Sequence, residues 1–587
     1  VSSPDGPPLW AEFPPHSLRD YALLADGHRG ALVGPRGDVV WLCAPRWDSD
    51  AVLASLVGGE GGYAVTPVEP CVWGGYYEPG TLVWRDRWVT PSTEIECREA
   101  LAYPGDPDTV VLLRRVDAVA DRADVRVVLD LRAGFGREPW RDLRRHDDGS
   151  WTATVGEHRM RWRGAPDAVV DADGRLRAHL SVAPGEHHDL VLELGRLDDG
   201  PAVPPDRLWD RTTAAWQERV PDAFGHTAAP RDARHSYAVL CGMTHPGGGM
   251  VAAATLGLPE KADESNSYDY RYVWLRDQAY VAMGSSAVGR PELLDSAVRF
   301  ATERVLDGGP LRPAYRVDGS GLPHERRLDL PGYPGGTDVV GNWVRGQTQL
   351  DEFGELLLMY ERAASLDRLD GDGWRAVEVL VQHVETAWDE PDAGIWELDD
   401  HWWTHSRLAC VAGLRAVARH APRAQASRWD ELAAKVLHHT TQRCLAPDGS
   451  WQRAQDVTGP DAALLLPPVR GALPADDPRT QRTLEVVRRE LVEDGYLYRF
   501  FDGDDGDERI GVSQGAFTMC GLMMALALHQ QGDDVEAVRW FERNRAACGP
   551  PGLYAEEYDV QQRQLRGNLP QAFTHAMLLE TAGVLGR

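Results

Sequence analysis

Apolar and polar positions follow one rhythm in the first third of the chain and another in the rest. Up to about residue 200, short runs rich in β-branched and aromatic residues are broken by turn signals. Examples are 31–33, 38–42, 110–115, 125–131, 151–155, 175–182 and 188–194. Asp148-Gly149, Asp173-Gly174 and Pro184-Gly185 punctuate them, as residues that accept turn conformations do. Many short strands at close spacing predict an all-β sandwich. Near residue 205 the period changes. The stretch 205–220 has helical spacing and reads as a connecting helix. Beyond it, helical segments are predicted at 232–243, 277–288, 291–306, 346–366, 373–388, 405–420, 426–443, 478–493, 514–531, 534–547 and 570–585. These eleven fit a closed barrel of six inner and six outer helices, with one unread. The expected fold is therefore multidomain β + α: a β-sandwich over 1–204, a helical linker over 205–230, and an (α/α)6 barrel over 231–587. Long connections at 308–345, 394–404, 502–511 and 549–569 are where a rigid scaffold would carry its chemistry.

Charge narrows the choice of partner. The formal net charge is −28, with Lys261 and Lys435 the only lysines. An acidic surface repels phosphate backbones and anionic lipids, so neither nucleic acid nor membrane is expected. No apolar run approaches a membrane-spanning length, and 1–15 has neither the basic start nor the apolar stretch of a signal peptide. The eight cysteines include no CxxC pair, and several sit in apolar runs. They read as reduced core thiols of a cytoplasmic protein, with no metal cluster. Oligomeric state is not legible.

Three loop segments combine carboxylates with aromatics: Tyr268-Asp-Tyr-Arg-Tyr-Val-Trp-Leu-Arg-Asp277, Gly394-Ile-Trp-Glu397 followed by Trp402-Trp403, and Tyr554-Ala-Glu-Glu-Tyr-Asp559. A sugar site needs this mixture. Aromatic faces pack on a pyranose, Arg–Asp pairs grip hydroxyls, and two carboxyls flank the bond to be cut. One carboxyl must hold a proton and the other must not, so their environments have to differ. Glu397, beside Trp396, suits the acid. Glu556 and Glu557 both suit the base. Taken singly, each motif also reads as ordinary surface or core structure.

In this order the segments resemble glycoside hydrolase family 15, which includes glucoamylases, glucodextranases and bacterial trehalases. The similarity covers most of the chain. Asp20-Tyr-Ala-Leu-Leu-Ala-Asp26 and Gly37-Asp-Val-Val-Trp-Leu-Cys-Ala-Pro-Arg-Trp-Asp-Ser49 look like the trehalase-like N-terminal region of bacterial members. Leu258-Pro-Glu260, Gly341-Asn342, Gln347-Thr-Gln-Leu-Asp351, Thr404-His-Ser406 and Gly567-Asn-Leu-Pro-Gln-Ala-Phe573 extend the match. The resemblance implies single-displacement hydrolysis with inversion by an exo-acting α-glucosidase, needing no cofactor and releasing β-glucose from a carbohydrate substrate. Trehalase is the alternative. It implies Glu397 as general acid and Glu556 as general base. Tyr270, Trp274, Arg276, Asp277, Trp343, Trp396, Glu557 and Arg499 would bind substrate. The two carboxyls of an inverting enzyme stand about 6.5–9.5 Å apart. Gln514 departs from the Glu of many bacterial members, and Thr337-Asp-Val-Val-Gly-Asn342 from their Pro-Val-Arg-Val-Gly-Asn; both are expected on the aglycone side, as are the bulky Trp343 and Trp402-Trp403.

Other readings compete. A sugar isomerase or epimerase on a similar barrel would need histidines in the cavity, with His405 and His575 as candidates. A non-catalytic sugar-binding protein would have no use for both carboxylate motifs. Gly511-Val-Ser-Gln-Gly515 spells a nucleophile elbow without the preceding strand that motif requires. The acidic run 502–508 lacks the spacing of a calcium loop. His438-His439 lacks a third ligand at suitable spacing, and Gly34-Pro-Arg-Gly37 lacks the Lys and helix of a phosphate loop.

Overall fold

The computed structural model describes residues 12–197, 200–260, 267–501 and 514–587. The acidic run 502–508, the first three residues of the GxSxG sequence, Lys261 and most of the 1–15 stretch lie outside these residues.

The N-terminal part is a β-rich, sandwich-like pair of sheets. One eight-stranded sheet runs, in spatial order, through Ala22–Ala25, Gly30–Val33, Asp38–Cys43, Gly62–Pro67, Ala123–Asp130, Leu176–Val182 and Val169–Val170, with Ala51–Leu53 paired to Asp38–Cys43. The second contains Arg141–Arg145, Trp151–Val155, His158–Arg163, His187–Gly195, Thr109–Ala118, Glu94–Leu101, Trp84–Val89 and Val72–Tyr77. Trp84–Val89 and Trp151–Val155 alternate buried and accessible positions, as strands with one wet face do. The strands Ala22–Ala25, Gly30–Val33 and Asp38–Cys43 are buried throughout. The cause is that they serve two cores. Ala22, Leu24, Ala31, Val33, Val39 and Leu42 point into the space between the sheets. Leu23, Ala25, Leu32, Val40, Trp41 and Cys43 point out of it, into the core of the helical part. A period of two thus reads as an unbroken apolar run when both faces are covered.

The helical part follows Pro205–Arg219, which spans the join. Leu275–Ala287 packs on Asp351–Ser365, which packs on Thr404–Ala418. That helix meets a short helical stretch at 462–469, which meets Thr518–Gln530. Ala572–Leu585 packs on Thr518–Gln530 and returns to Leu275–Ala287. A second layer lies outside these: Pro230–Met243, Glu292–Leu306, Gly371–Ala387, Arg423–Cys444, Pro478–Glu490 and Asp534–Arg545. Burial distinguishes the layers. Residues 518–528 of one inner helix are buried on every side, whereas Asp534–Arg545 buries only a stripe. Each of the eleven predicted segments holds a helix here, but 346–350 lies before Asp351–Ser365, and 492–493 and 516–517 are strand. A further helical stretch that was not predicted is 462–469, a 3-10 turn running into a four-residue helix that contains Pro467 and Pro468.

Where the two parts meet, the sheet supports the loop before Leu275–Ala287. The Trp41 indole N–H donates to the Ala254 carbonyl at 2.8 Å. Arg271, fully buried, grips Asp269 through two bonds of 2.9 and 2.7 Å and donates to the Ser49 carbonyl at 2.7 Å. Its third contact is the Cys43 sulfur at 3.3 Å. No described helix is long and apolar enough to cross a membrane. All eight cysteines are free thiols, and only Cys71 is exposed.

Candidate active site

Loops that enter the inner helices converge on one cavity of about 140 Å³. Tyr270, Trp274, Arg276, Asp277, Trp343, Trp396, Glu397, Arg499 and Glu556 line it, together with Glu260, Tyr268 and Gln514. Nine of the predicted positions therefore come together from segments nearly 300 residues apart.

Glu397 sits in a tight turn, its N–H bonded to the Gly394 carbonyl at 3.1 Å. Its φ of +57° is a left-handed conformation that a non-glycine residue rarely holds without a reason. The turn aims its carboxyl at Trp274 and Arg276. The Trp274 indole N–H donates to Glu397 Oε1 at 2.7 Å, and an Arg276 N–H donates to the same oxygen at 3.0 Å. Both donors fall on Oε1, which leaves Oε2 as the oxygen able to carry a proton. The sequence placed Trp396 as the aromatic beside Glu397. In the structure Trp396 instead donates its N–H to Asp461 at 3.0 Å, and Trp274 holds the carboxyl.

Arg276 opens the Leu275–Ala287 helix and is buried. It donates to Gln349 Oε1 at 2.6 Å and lies 3.5 Å from Asp351. Burial opposes its charge, but Asp351, Glu397 and Asp277 together raise its pKa above the ordinary arginine value. Asp277 lines the cavity, and its Oδ1 has no hydrogen-bond partner among the described residues. Burial pushes that carboxyl up to about 7 against the pull of Arg276.

Tyr270 and Trp274 pack edge to face with ring centroids 5.6 Å apart. Trp274 serves Glu397, and Tyr270 serves Glu556, its hydroxyl 3.3 Å from Glu556 Oε2. One aromatic pair thus ties the two carboxyls to a common wall. Burial raises the Glu556 pKa well above the carboxylate range, the neighbouring Glu260 raises it further, and Arg499 opposes both.

Other expectations change. Glu557 does not line the cavity; it is fully buried, accepts the Gly515 N–H at 2.7 Å, and lies 3.9 Å from Arg499. The stretch 337–342 also stays outside. Asp338 Oδ2 accepts from the Leu328 and Leu330 N–H groups at 3.0 and 3.1 Å, and Asn342 donates to the Asp269 carbonyl at 3.2 Å. It clips the loop rather than meeting a ligand. Trp402 and Trp403 are buried core residues, Trp402 lying between the guanidinium groups of Arg407 and Arg443 at 4.5 and 4.8 Å. Gln514 does line the cavity and accepts from Arg499 Nε at 2.7 Å. Arg499 also lies 4.1 Å from the Phe517 ring centroid.

His405 and His575 are fully enclosed and do not line the cavity. Burial lowers His405 to about 3 and keeps His575 neutral as well. The metal-ligand trio found among the described residues, His187, Asp189 and Asp206, lies at the surface of the β-rich part. Arg115 already pairs with both of its aspartates.

Several buried carboxyls lie above their ordinary range: Glu260 at about 8, Asp277 and Glu355 at about 7, and Asp351 at about 6. A group whose pKa rises on folding contributes stability that is present below its unfolded value and lost as pH climbs through the folded one. The carboxyls therefore predict a melting temperature that falls from about pH 4 to about pH 8. Buried His28 and His235, both lowered to about 4, act at the other end. Their stability is present above about pH 6.5 and lost toward pH 4. Thermal melts should therefore show a maximum at or below about pH 5 and a decline to about pH 8; a rise toward about pH 8.5 would mean that the carboxyls are ionised in the folded protein.

Residues 233–583 match the family described as glycosyl hydrolases family 15. The chain belongs to that family. Residues 14–206 of this family 15 protein match the trehalase-like N-terminal domain. It is a glycoside hydrolase, and it acts on carbohydrate. A trehalase of Mycobacterium tuberculosis is 29% identical over 97% of this chain and 90% of its own length. Trehalase 1 of Sulfolobus acidocaldarius is 26% identical over 96% of this chain and 98% of its own. A bacterial glucoamylase solved with acarbose shares the fold, with a TM-score of 0.75 at 13% identity over 100% of this chain and 96% of that one.

Glu260, Tyr268 and Gln514 line the cavity of this family 15 enzyme without having been assigned a binding role from sequence. For Glu260 the signal was its place in Leu258-Pro-Glu260. No second carboxyl nearby in sequence marked it as part of a pair.

Proposed function

We propose that the protein is an inverting α-glucoside hydrolase whose substrate is α,α-trehalose. The observation that carries the chemistry is the single cavity that holds Glu397 and Glu556, each tied to a different member of the Tyr270–Trp274 pair. Glu397 Oε2 protonates the glycosidic oxygen. Glu556 takes a proton from water as that water attacks C1 from the opposite face. Arg276 keeps Glu397 in place, and Asp277 offers an oxygen to the glucose hydroxyls. Trp343 and Trp396 supply apolar walls, and Arg499 binds beside Gln514. The trehalase-like N-terminal match and the full-length similarity to trehalases favour trehalose over longer α-glucosides. The same reading takes 1–204 as a β-sandwich domain, 205–230 as a linker and 231–587 as an (α/α)6 barrel, supported by the contact order of the inner helices. The free thiols support a cytoplasmic location.

Trehalose carries two α-anomeric carbons. Inversion at one therefore releases one β-glucose and leaves the other glucose as the α-anomer. Proton NMR in the first minutes should show equal α- and β-glucose. Two α-glucoses would mean retention. Turnover of maltose, isomaltose, kojibiose, nigerose or a maltooligosaccharide, with trehalose untouched, would move the assignment to an exo-α-glucosidase.

A further inference from the structure

The wall behind Glu556 contains a second carboxyl. Glu260 and Glu556 both line the cavity, both are buried, and both carboxyls reach the Tyr270 hydroxyl. The Tyr270 hydroxyl lies 3.2 Å from Glu260 Oε1 and 3.3 Å from Glu556 Oε2, so its one proton serves one carboxyl at a time. The backbone is arranged to allow this contact. The Gly567 N–H donates to the Pro259 carbonyl at 2.7 Å, which staples the loop carrying Glu260 to the one that follows Glu556. Asn568 continues the staple: its Oδ1 accepts from Thr255 Oγ1 at 2.9 Å, and its Nδ2 donates to the Tyr268 carbonyl at 2.8 Å. Gly567 has a φ of +84°, and a Cβ there would stand 3.4 Å from both Glu260 Cγ and Glu556 Cβ. A side chain at 567 would crowd the pair.

Two carboxyls that share one hydroxyl in a buried site cannot both be charged without a large repulsion. Among the described residues, the charged and titratable groups acting on them are Tyr268 and Tyr270 on one side, Glu557 and Arg499 on another, and Glu397 across the cavity. Arg499 is the cation of this set, and it opposes one negative charge more readily than two.

We infer that Glu260 is a positioning residue for Glu556: the two buried carboxyls, bridged by the Tyr270 hydroxyl, share one proton. The pair then carries one negative charge, and Glu556 is presented as an oriented acceptor for the proton of the attacking water. When that proton arrives the pair becomes a diacid, and it resets by releasing one proton to solvent. This inference deepens the hydrolytic reading above and rests on it for the role of Glu556.

Two measurements test it. Infrared difference spectra of wild type minus Glu260→Gln at neutral pH read the shared proton without reference to turnover. A protonated-carboxyl stretch should be present in the wild type and lost in the variant. The pH profile of kcat reads the consequence. Glu260→Gln retains an N–H donor and should lower kcat less than about tenfold. Glu260→Leu removes the partner carboxyl and should lower kcat by about a hundredfold, leave KM within about threefold, and shift the acidic limb by about one pH unit. An unshifted limb in Glu260→Leu, or a difference spectrum without that band, would overturn the inference. If Glu260→Leu does not fold, the infrared comparison on Glu260→Gln decides alone. Retained activity in Glu556→Gln would instead remove the hydrolytic role of Glu556, a separate failure that leaves the infrared band readable.

Discussion

Glu556→Gln and Glu397→Gln should each lower kcat for trehalose by about 10²–10⁴-fold, the range expected when a general base or acid is lost. The substrate's leaving group separates the two roles. Trehalose needs its glycosidic oxygen protonated, so both variants fail on it. α-Glucosyl fluoride leaves without a proton. Glu397→Gln should therefore hydrolyse the fluoride within about tenfold of wild type, while Glu556→Gln should not, because it still lacks a base for water. The geometry also says which atom is lost. In Glu397 both donors fall on Oε1, so the Gln side chain can keep the Trp274 and Arg276 contacts through its amide oxygen. It then presents an NH2 where the acid presents Oε2. Equal loss on fluoride and trehalose in both variants would show that the roles are wrongly divided.

Arg276→Met carries the second large effect. Arg276 is the buried cation among Asp277, Asp351, Glu352 and Glu397. Removing one member of such a set leaves charges without compensation, a cost of about 3–5 kcal/mol. The variant should melt well below the wild type. The deficit should shrink at about pH 5 and grow toward pH 8, because Asp277 and Asp351, already raised to about 7 and 6, shed the strain by taking up protons. Turnover should fall as well, since Glu397 loses one of its two donors. Urea melts at the two pH values test this. A deficit that does not change with pH would mean that Arg276 is valued for packing rather than charge.

The sequence made some of this visible and not the rest, for local reasons. Helices such as Thr404–Ala418 announce themselves through period and length. The 462–469 stretch does not, because a 3-10 turn followed by Pro467-Pro468 carries no helical signature even though it completes the inner layer. Strands 22–25, 30–33 and 38–43 show how burial on both faces erases alternation. At the site, Glu397 and Glu556 stood out because each lies in an aromatic-rich motif. Trp274, not Trp396, meets Glu397, since the turn at φ +57° swings the carboxyl away from its own neighbour. Glu557 looked equivalent to Glu556, but Glu556 lies just before the strand Glu557–Asp559 and lines the cavity, while Glu557, the first strand residue, accepts the Gly515 N–H instead. Glu260 was hidden because its partner lies 296 residues away, a distance only the fold can close.

The join between sheet and helices has one more consequence. Trp41, Cys43 and Ser49 come from the β-rich part, while Ala254 and Arg271 come from the helical part, and together they fix the loop that delivers Tyr270 and Trp274. The boundary between the parts is thus not a point at which they can be recombined freely. A chimera that takes its N-terminal third from a relative inherits that loop's support along with it. Trp41 and Arg271 then have to travel as a matched pair, as the two halves of an interface do, and the β-rich part becomes a template for the site although none of its described residues lines the cavity.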